Sequence, residues 1–222
     1  MKVGTDGVLL GAWCTVDNYP DSILDIGSGT GVIALMIAQR SDAMTIDAVE
    51  VDAAGYEQTV ENFEKSDWGD RLYCYNATFQ EFAIEILEEE ETYDLIVSNP
   101  PFYTDAFETD NDARNKARFT SSLSFEELLE GVSKILAKNG IFSMVLPFKE
   151  EAHIINIAKK HHLFLNRICR VQGSKTAEIK RSLLEFSFQE TEINETHLLI
   201  EIKRHQYTED YIRLTKDFYL KM

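Results

Sequence analysis

Two short stretches hold residue types whose spacing suits chemistry. The first is Leu24-Asp25-Ile26-Gly27-Ser28-Gly29-Thr30-Gly31. Glycines at alternate positions permit a tight turn and bring backbone close to a ligand. Glu50 comes nineteen residues after Gly31, at the end of an apolar run. A carboxylate there can accept hydrogen bonds from both hydroxyls of a ribose. Any strand-to-helix turn can contain glycine, so the acid at this spacing is what favours a nucleotide. The second stretch is Asn99-Pro100-Pro101-Phe102. The side-chain oxygen of Asn99 and the carbonyl of Pro100 can each accept one N–H of a planar amine. Those bonds draw the nitrogen towards tetrahedral geometry and stabilise the charge it gains on attack. The prolines fix the backbone, and Pro101 adds no competing N–H. Phe102 or Tyr103 can stack on the flat group that bears the amine.

The first stretch is not a dinucleotide fingerprint. In GxGxxG the third glycine would stand at Val32, whereas the pattern here is GxGxG with Asp25 two residues before it. An acid beside the turn suits S-adenosylmethionine, which carries a cationic sulfonium and no pyrophosphate. A nicotinamide-dependent oxidoreductase is the rival reading, and the spacing counts against it.

The elements that must position these residues can be read from periodicity. Ser22–Gly27, Thr45–Val51, Leu72–Ala77, Tyr93–Ser98 and Ile141–Leu146 read as strands. Thr30–Arg40, Ala53–Lys65, Gln80–Glu90, Phe125–Leu136 and Glu150–His161 read as helices between or after them. Ser124 and Glu127 form a capping box for one of these, and Asn139-Gly140 predicts a turn. Strand-helix alternation implies parallel units in an α/β, open, doubly wound sheet. The remaining runs, Phe164–Val171, Ser182–Gln189 and Leu198–Lys203, contain only strands and predict an antiparallel edge. Ligands of such sheets bind at the carboxyl ends of the strands, so Gly27 and Asn99 should share a cleft.

Composition bounds the function. The chain has 222 residues, 44% hydrophobic and 11% aromatic, which suits one domain spanning 1–222. No apolar run reaches the roughly 18 residues of a membrane span, and the start lacks a signal-peptide core, so the expectation is a cytoplasmic protein. Cys14, Cys74 and Cys169 form no CxxC pair and read as reduced thiols. The five histidines show no metal-ligand spacing, so no metal is expected. A net charge of −16 argues against nucleic acid as a partner. Yet residues 1–133 hold 7 Lys/Arg against 27 Asp/Glu, while residues 134–222 hold 15 against 11. Local potential governs contact with RNA, so the acidic total does not exclude it.

Together, D-x-G-x-G-x-G and N-P-P-F resemble the class I, Rossmann-like amino-methyltransferases that use S-adenosylmethionine. The opening Met1–Trp13 (MKVGTDGVLLGAW), Ala117-Arg118-Phe119, Ser122-Leu123, Tyr207-Thr208-Glu209 and Asp217–Leu220 are similar to bacterial valine-tRNA (adenine-37 N6)-methyltransferases over nearly the whole chain. The resemblance implies a mostly parallel seven-stranded sheet with an antiparallel C-terminal edge, and transfer of a methyl group to N6 of a tRNA adenine; a monomer is expected. It puts Asp25, Gly27, Gly29, Gly31, Glu50 and Asn99 on the cofactor, with Thr5 and Asp6 near its methionine end. Asn99, Pro100, Pro101 and Phe102 would form the catalytic motif. Independently of the resemblance, Tyr103 and, in the long polar stretch Phe102–Leu123 beside the motif, Arg114, Lys116 and Arg118 are expected to meet the tRNA.

Two departures from the family pattern stand out. Where such enzymes often have Asp against the adenine, this chain has Thr78 after Ala77; a hydroxyl and backbone would replace the carboxylate, with Phe79 packing on the ring. Family members usually carry a further segment before KVGTDG, and this chain starts inside that stretch. Release-factor glutamine methylation, guanine N2 methylation of ribosomal RNA, and a non-catalytic RNA- or cofactor-binding module are the competing functions.

Overall fold

In the computed structural model, residues 4–100 and 123–220 are described. Helix α1 spans Thr5–Trp13 and is buried on almost every side. Strand β1 (Ser22–Ile26) leads through the glycine turn to α2 (Val32–Arg40). Next come β2 (Thr45–Val49), α3 (Ala53–Glu64), β3 (Leu72–Tyr75), α4 (Phe79–Glu88) and β4 (Tyr93–Ser98). Beyond the undescribed stretch lie α5 (Phe125–Ile135), β5 (Leu136–Pro147) and α6 (Glu151–Lys160). The chain closes with β6 (Phe164–Ser174), β7 (Ile179–Ser187), β8 (Asn194–Lys203), β9 (Gln206–Tyr207) and α7 (Glu209–Thr215).

The strands form one sheet in the order β3-β2-β1-β4-β5-β7-β6-β8-β9. The sheet has nine strands where the resemblance implied seven: each of the eight strand runs read from the sequence forms a strand, and the short β9 adds one more. The antiparallel character resides in β7, inserted between β5 and β6, and in the two-residue β9; β8 runs parallel to β6. Alternation along the buried strands feeds two cores. Leu24, Ile26 and Ile96 pack with Phe82 of α4, Leu129 of α5 and Ile157 of α6. Ile23, Ile46 and Leu95 face the other way, onto Leu10 of α1, Ile37 of α2, Phe63 of α3 and Tyr211 of α7.

Most elements fall within two residues of their sequence-based bounds, and the Ser124–Glu127 capping box forms as expected. Helix α1 had no sequence signal, because Gly7 and Gly11 interrupt its pattern. Gly11 is there for packing: a Cβ would lie 2.9 Å from the Met36 sulfur of α2. Asn139-Gly140 is not a turn between elements. The pairing with β4 shifts from Tyr93↔Leu136 to Leu95↔Ile141, so these residues bulge out within β5. Among the described residues, no helix is long and apolar enough to cross a membrane. All three cysteines are free thiols, and burial pushes the Cys14 thiol up to about 12.

Candidate active site

One row of the sheet sets the site. Ile26 pairs with Val49 on one side and Ser98 on the other, and Val49 pairs with Tyr75. The next residue on each strand is therefore Gly27, Glu50, Asn99 and Asn76. Four neighbouring parallel strands end together and deliver these four residues to one edge. Side chains and backbone tie the ends to each other. The Ser98 hydroxyl donates to the Ile26 carbonyl at 3.0 Å. The Gly27 amide donates to the Val49 carbonyl at 2.9 Å, and the Glu50 amide to the Tyr75 carbonyl at 3.0 Å. The Asn76 amide group donates to the Glu50 carbonyl at 2.8 Å.

The glycine turn needs its glycines. Gly27, Gly29 and Gly31 have φ of 73°, 61° and 72°, in the left-handed region. Gly31 is also crowded, since a Cβ would come within 2.6 Å of the Phe63 ring. Gly27 is the opposite case: a Cβ there would meet nothing within 4 Å, so its face is open towards the cleft. Helix α3 braces the turn from outside. The Thr59 hydroxyl donates to the Gly29 carbonyl at 3.1 Å, and the Asn62 amide group to the Thr30 carbonyl at 2.9 Å.

Glu50 is buried, and both its oxygens accept backbone N–H groups. Gly29 donates at 2.8 Å and Asp52 at 2.9 Å. The residue singled out for a ribose thus also shapes the turn. Each carboxylate oxygen retains a second lone pair. Asp52 in turn caps α3 by accepting from Gly55 at 2.8 Å.

Asp25 lies fully buried beneath the turn. Gly31 occupies the N-cap of α2 and has no side chain to cap it. Asp25 supplies that function from β1, accepting from the Ala34 amide at 3.2 Å. Its second oxygen has no partner. Burial is the main cause that pushes its carboxyl up to about 7; the nearby Glu50 charge adds to the rise and the Ala34 bond opposes it. A buried acid with a bare oxygen and no cationic partner among the described residues fits a site that admits a positive ligand. With the open face of Gly27 and the acid Glu50 beside it, the donor set suits S-adenosylmethionine.

Thr5 and Asp6 sit in the first turn of α1, at the same end of the sheet. Gly7 packs beside the motif, where a Cβ would make ordinary contact 3.9 Å from the Asn99 amide nitrogen. Asp6 accepts from Arg181 Nε at 2.7 Å. Asn99 is half-buried and Pro100 buried. The Thr78 hydroxyl is committed as the N-cap of α4: it accepts from the Glu81 amide at 3.2 Å and donates to the Glu81 carboxylate at 2.7 Å. Ala77 packs against the core. Phe79 is not available to a ligand ring, which corrects its expected role. It is buried in the core against Gly131, where a Cβ would come within 2.5 Å of it. Pro101, Phe102, Tyr103, Arg114, Lys116 and Arg118 lie outside the described residues.

Comparison with known proteins agrees with this geometry. The family described as Methyltransferase small domain matches residues 11–161. A tRNA1(Val) (adenine(37)-N6)-methyltransferase of Christiangramia forsetii is 54% identical over 222 residues, covering 100% of this chain and 92% of that protein. That of Flavobacterium johnsoniae is 56% identical, covering 100% and 94%. The chain belongs to the tRNA1(Val) (adenine(37)-N6)-methyltransferase family. Among solved structures, one described as a predicted O-methyltransferase from Agrobacterium tumefaciens shares the fold. It has a TM-score of 0.71 at 18% identity and covers 96% of each chain. A methyltransferase from Pyrococcus furiosus gives a TM-score of 0.53 at 23% identity, covering 75% of this chain and 74% of its own.

Within this family frame, several residues of the site escaped sequence reading. Asn76 and Thr59 have a signal only in hindsight of position, as the residue after a strand and one turn into a helix. Arg181 has none, because the insertion of β7 between β5 and β6 cannot be read locally. Phe148, an exposed aromatic just past the end of β5, lies 5.9 Å under the Arg170 guanidinium.

Proposed function

We infer that this chain transfers a methyl group from S-adenosylmethionine to N6 of an adenine in tRNA, adenine 37 of a valine tRNA as its relatives are named. The observation that carries the reading is the placement of Asn99 one residue past the Ser98–Ile26 pairing, beside Gly27. S-adenosylmethionine would supply an electrophilic methyl carbon. Glu50 would hold the ribose hydroxyls on its remaining lone pairs. Thr5 and Asp6 would face the methionine end, and backbone near Ala77 and Thr78 the adenine ring.

At the acceptor, the Asn99 side-chain oxygen and the Pro100 carbonyl take the two N–H bonds of the exocyclic amine. They orient its lone pair and stabilise the positive charge that develops on nitrogen. An exocyclic ammonium of this kind is acidic enough to lose its proton to water. The site therefore needs acceptors at the nitrogen and not a strong base. We place the protein in the cytoplasm, where a tRNA substrate is found, and take one chain to supply the residues of this mechanism.

The test is incubation with methyl-labelled S-adenosylmethionine and unmodified total tRNA, followed by nucleoside analysis. Label in N6-methyladenosine is the expected result. Label in N2-methylguanosine or in protein glutamine would assign the same acceptor geometry to a different amine.

A further inference from the structure

We propose that the β6–β7 and β8–β9 hairpins form the surface that docks the tRNA stem next to the target adenine, through Lys175, Lys180, Lys203 and Arg204. The proposal deepens the tRNA reading above and rests on it. Topology puts these residues on the same edge as the site. Strand β5 is parallel to β4, so it ends where Asn99 begins. Strand β7 is antiparallel to β5, with Arg181 opposite Pro147, so it starts at that edge. Strand β6 is antiparallel to β7 and β8 is parallel to β6, so both end there. Both hairpin tips therefore lie on the edge that holds the cleft, on its β5 side. Strand β8 is four strands beyond β4 in the sheet. At roughly 4.8 Å per strand this places its tip about 20 Å from the motif, a reach suited to an RNA stem whose loop nucleotide enters the cleft.

The hairpin tips are locally basic. Lys175, Lys180, Lys203 and Arg204 are exposed, and none of them pairs with a carboxylate among the described residues. Glu178 and Glu201 share these hairpins and leave each with a small positive excess. The opposite edge is acidic: Asp42, Asp67, Asp70 and residues 89–91 all lie exposed in loops entering the strands. A polyanion approaching this acidic protein is repelled from those loops and attracted locally to the two hairpin tips. The −16 net charge thus steers orientation without forbidding contact.

The experiment compares wild type with the quadruple variant Lys175→Glu, Lys180→Glu, Lys203→Glu, Arg204→Glu, and with the matching set of Gln substitutions. Affinity for an unmodified valine tRNA transcript is measured across salt concentrations, alongside calorimetric affinity for S-adenosylmethionine. Reversal should weaken tRNA binding at least tenfold, the Gln set less, with cofactor affinity unchanged. The log–log salt slope should flatten by about 3, at roughly 0.7–0.9 per lost phosphate contact. Unaltered tRNA affinity and slope in both variants would overturn the proposal. So would equal affinity of wild type for a DNA duplex of matched charge. Failure of the parent reading looks different: wild type would transfer no methyl group to tRNA, whatever the hairpins bind.

Discussion

Buried acids are treated differently in the two halves of this molecule. In the C-terminal half each has an arginine. Glu185 of β7 accepts from the Thr15 amide at 2.7 Å, the Thr15 hydroxyl at 2.9 Å and the Ser143 hydroxyl at 3.0 Å, and Arg167 lies 3.3 Å away. Arg167 also donates to the Trp13 carbonyl and stacks 3.8 Å over the Trp13 ring. Glu151 accepts from Arg170 at 2.8 Å and from the Ser182 hydroxyl at 2.6 Å. In the parallel half, Asp25, Asp47 and Glu50 are buried with no ion pair among the described residues. Asp47 faces the other side of the sheet and takes the Tyr93 hydroxyl at 2.7 Å. Asp25 and Glu50 stand at the strand ends beside Gly27. Arginines neutralise the acids that staple the C-terminal half; Asp25 and Asp47 each keep one bare oxygen instead, and of the two only Asp25 lies beside Gly27, where a cationic ligand would supply the missing charge.

That contrast can be broken from either side. The largest stability effect should come from Glu185→Ala, which strands Arg167 and three donors. A loss of about 3 kcal/mol is expected, somewhat moderated because Arg167 is partly exposed. Denaturant midpoints read it, and cofactor affinity of the folded protein should hold. Asp25→Asn should do the reverse. Asn retains an acceptor for the Ala34 amide, so stability at pH 8 should not fall. Affinity for S-adenosylmethionine should drop about tenfold, or ~1.4 kcal/mol. If calorimetry finds unchanged affinity, the acid serves α2 alone.

The same residue sets a pH dependence with a definite sign. Its folded carboxyl titrates at about 7, above the 3.8 of an unperturbed one. Between those values the unfolded chain has released a proton that the folded chain keeps, so folding stability falls as pH rises. Relative to Asp25→Asn, wild type should be most stable below pH 4, lose that advantage up to pH 7 and level off above it. Binding of a sulfonium favours the ionised acid, so below pH 7 calorimetry in buffers of different ionisation heat should detect proton release. The smallest effect belongs to the partly exposed Asp6–Arg181 pair: Asp6→Asn should cost about 0.5 kcal/mol.

Much of this was legible beforehand. Repeated apolar runs ending in Gly27, Glu50 and Asn99 announced parallel strands with a common carboxyl edge, and the edge is there. What stayed hidden was non-local. The link from Asp25 to Ala34 depends on Gly31 being unable to cap its own helix. Glu50 doubles as a brace because the turn folds back over β2. Phe79 looked free since it follows Thr78, but α4 turns it inward against Gly131. The pairing of Arg167 with Glu185 requires β7 to lie between β5 and β6, an order that no local pattern encodes.

The most direct test of the account is steady-state turnover of Asn99→Ala with unmodified tRNA, beside its calorimetric affinity for S-adenosylmethionine. Removing one acceptor for the amine should lower kcat by about 100-fold or more, equivalent to ~3 kcal/mol of transition-state stabilisation. Because Asn99 also borders the cofactor, cofactor affinity should weaken too, but by far less than turnover. Turnover near the wild-type rate, with the cofactor still bound, would contradict the assignment of Asn99 to the methyl acceptor.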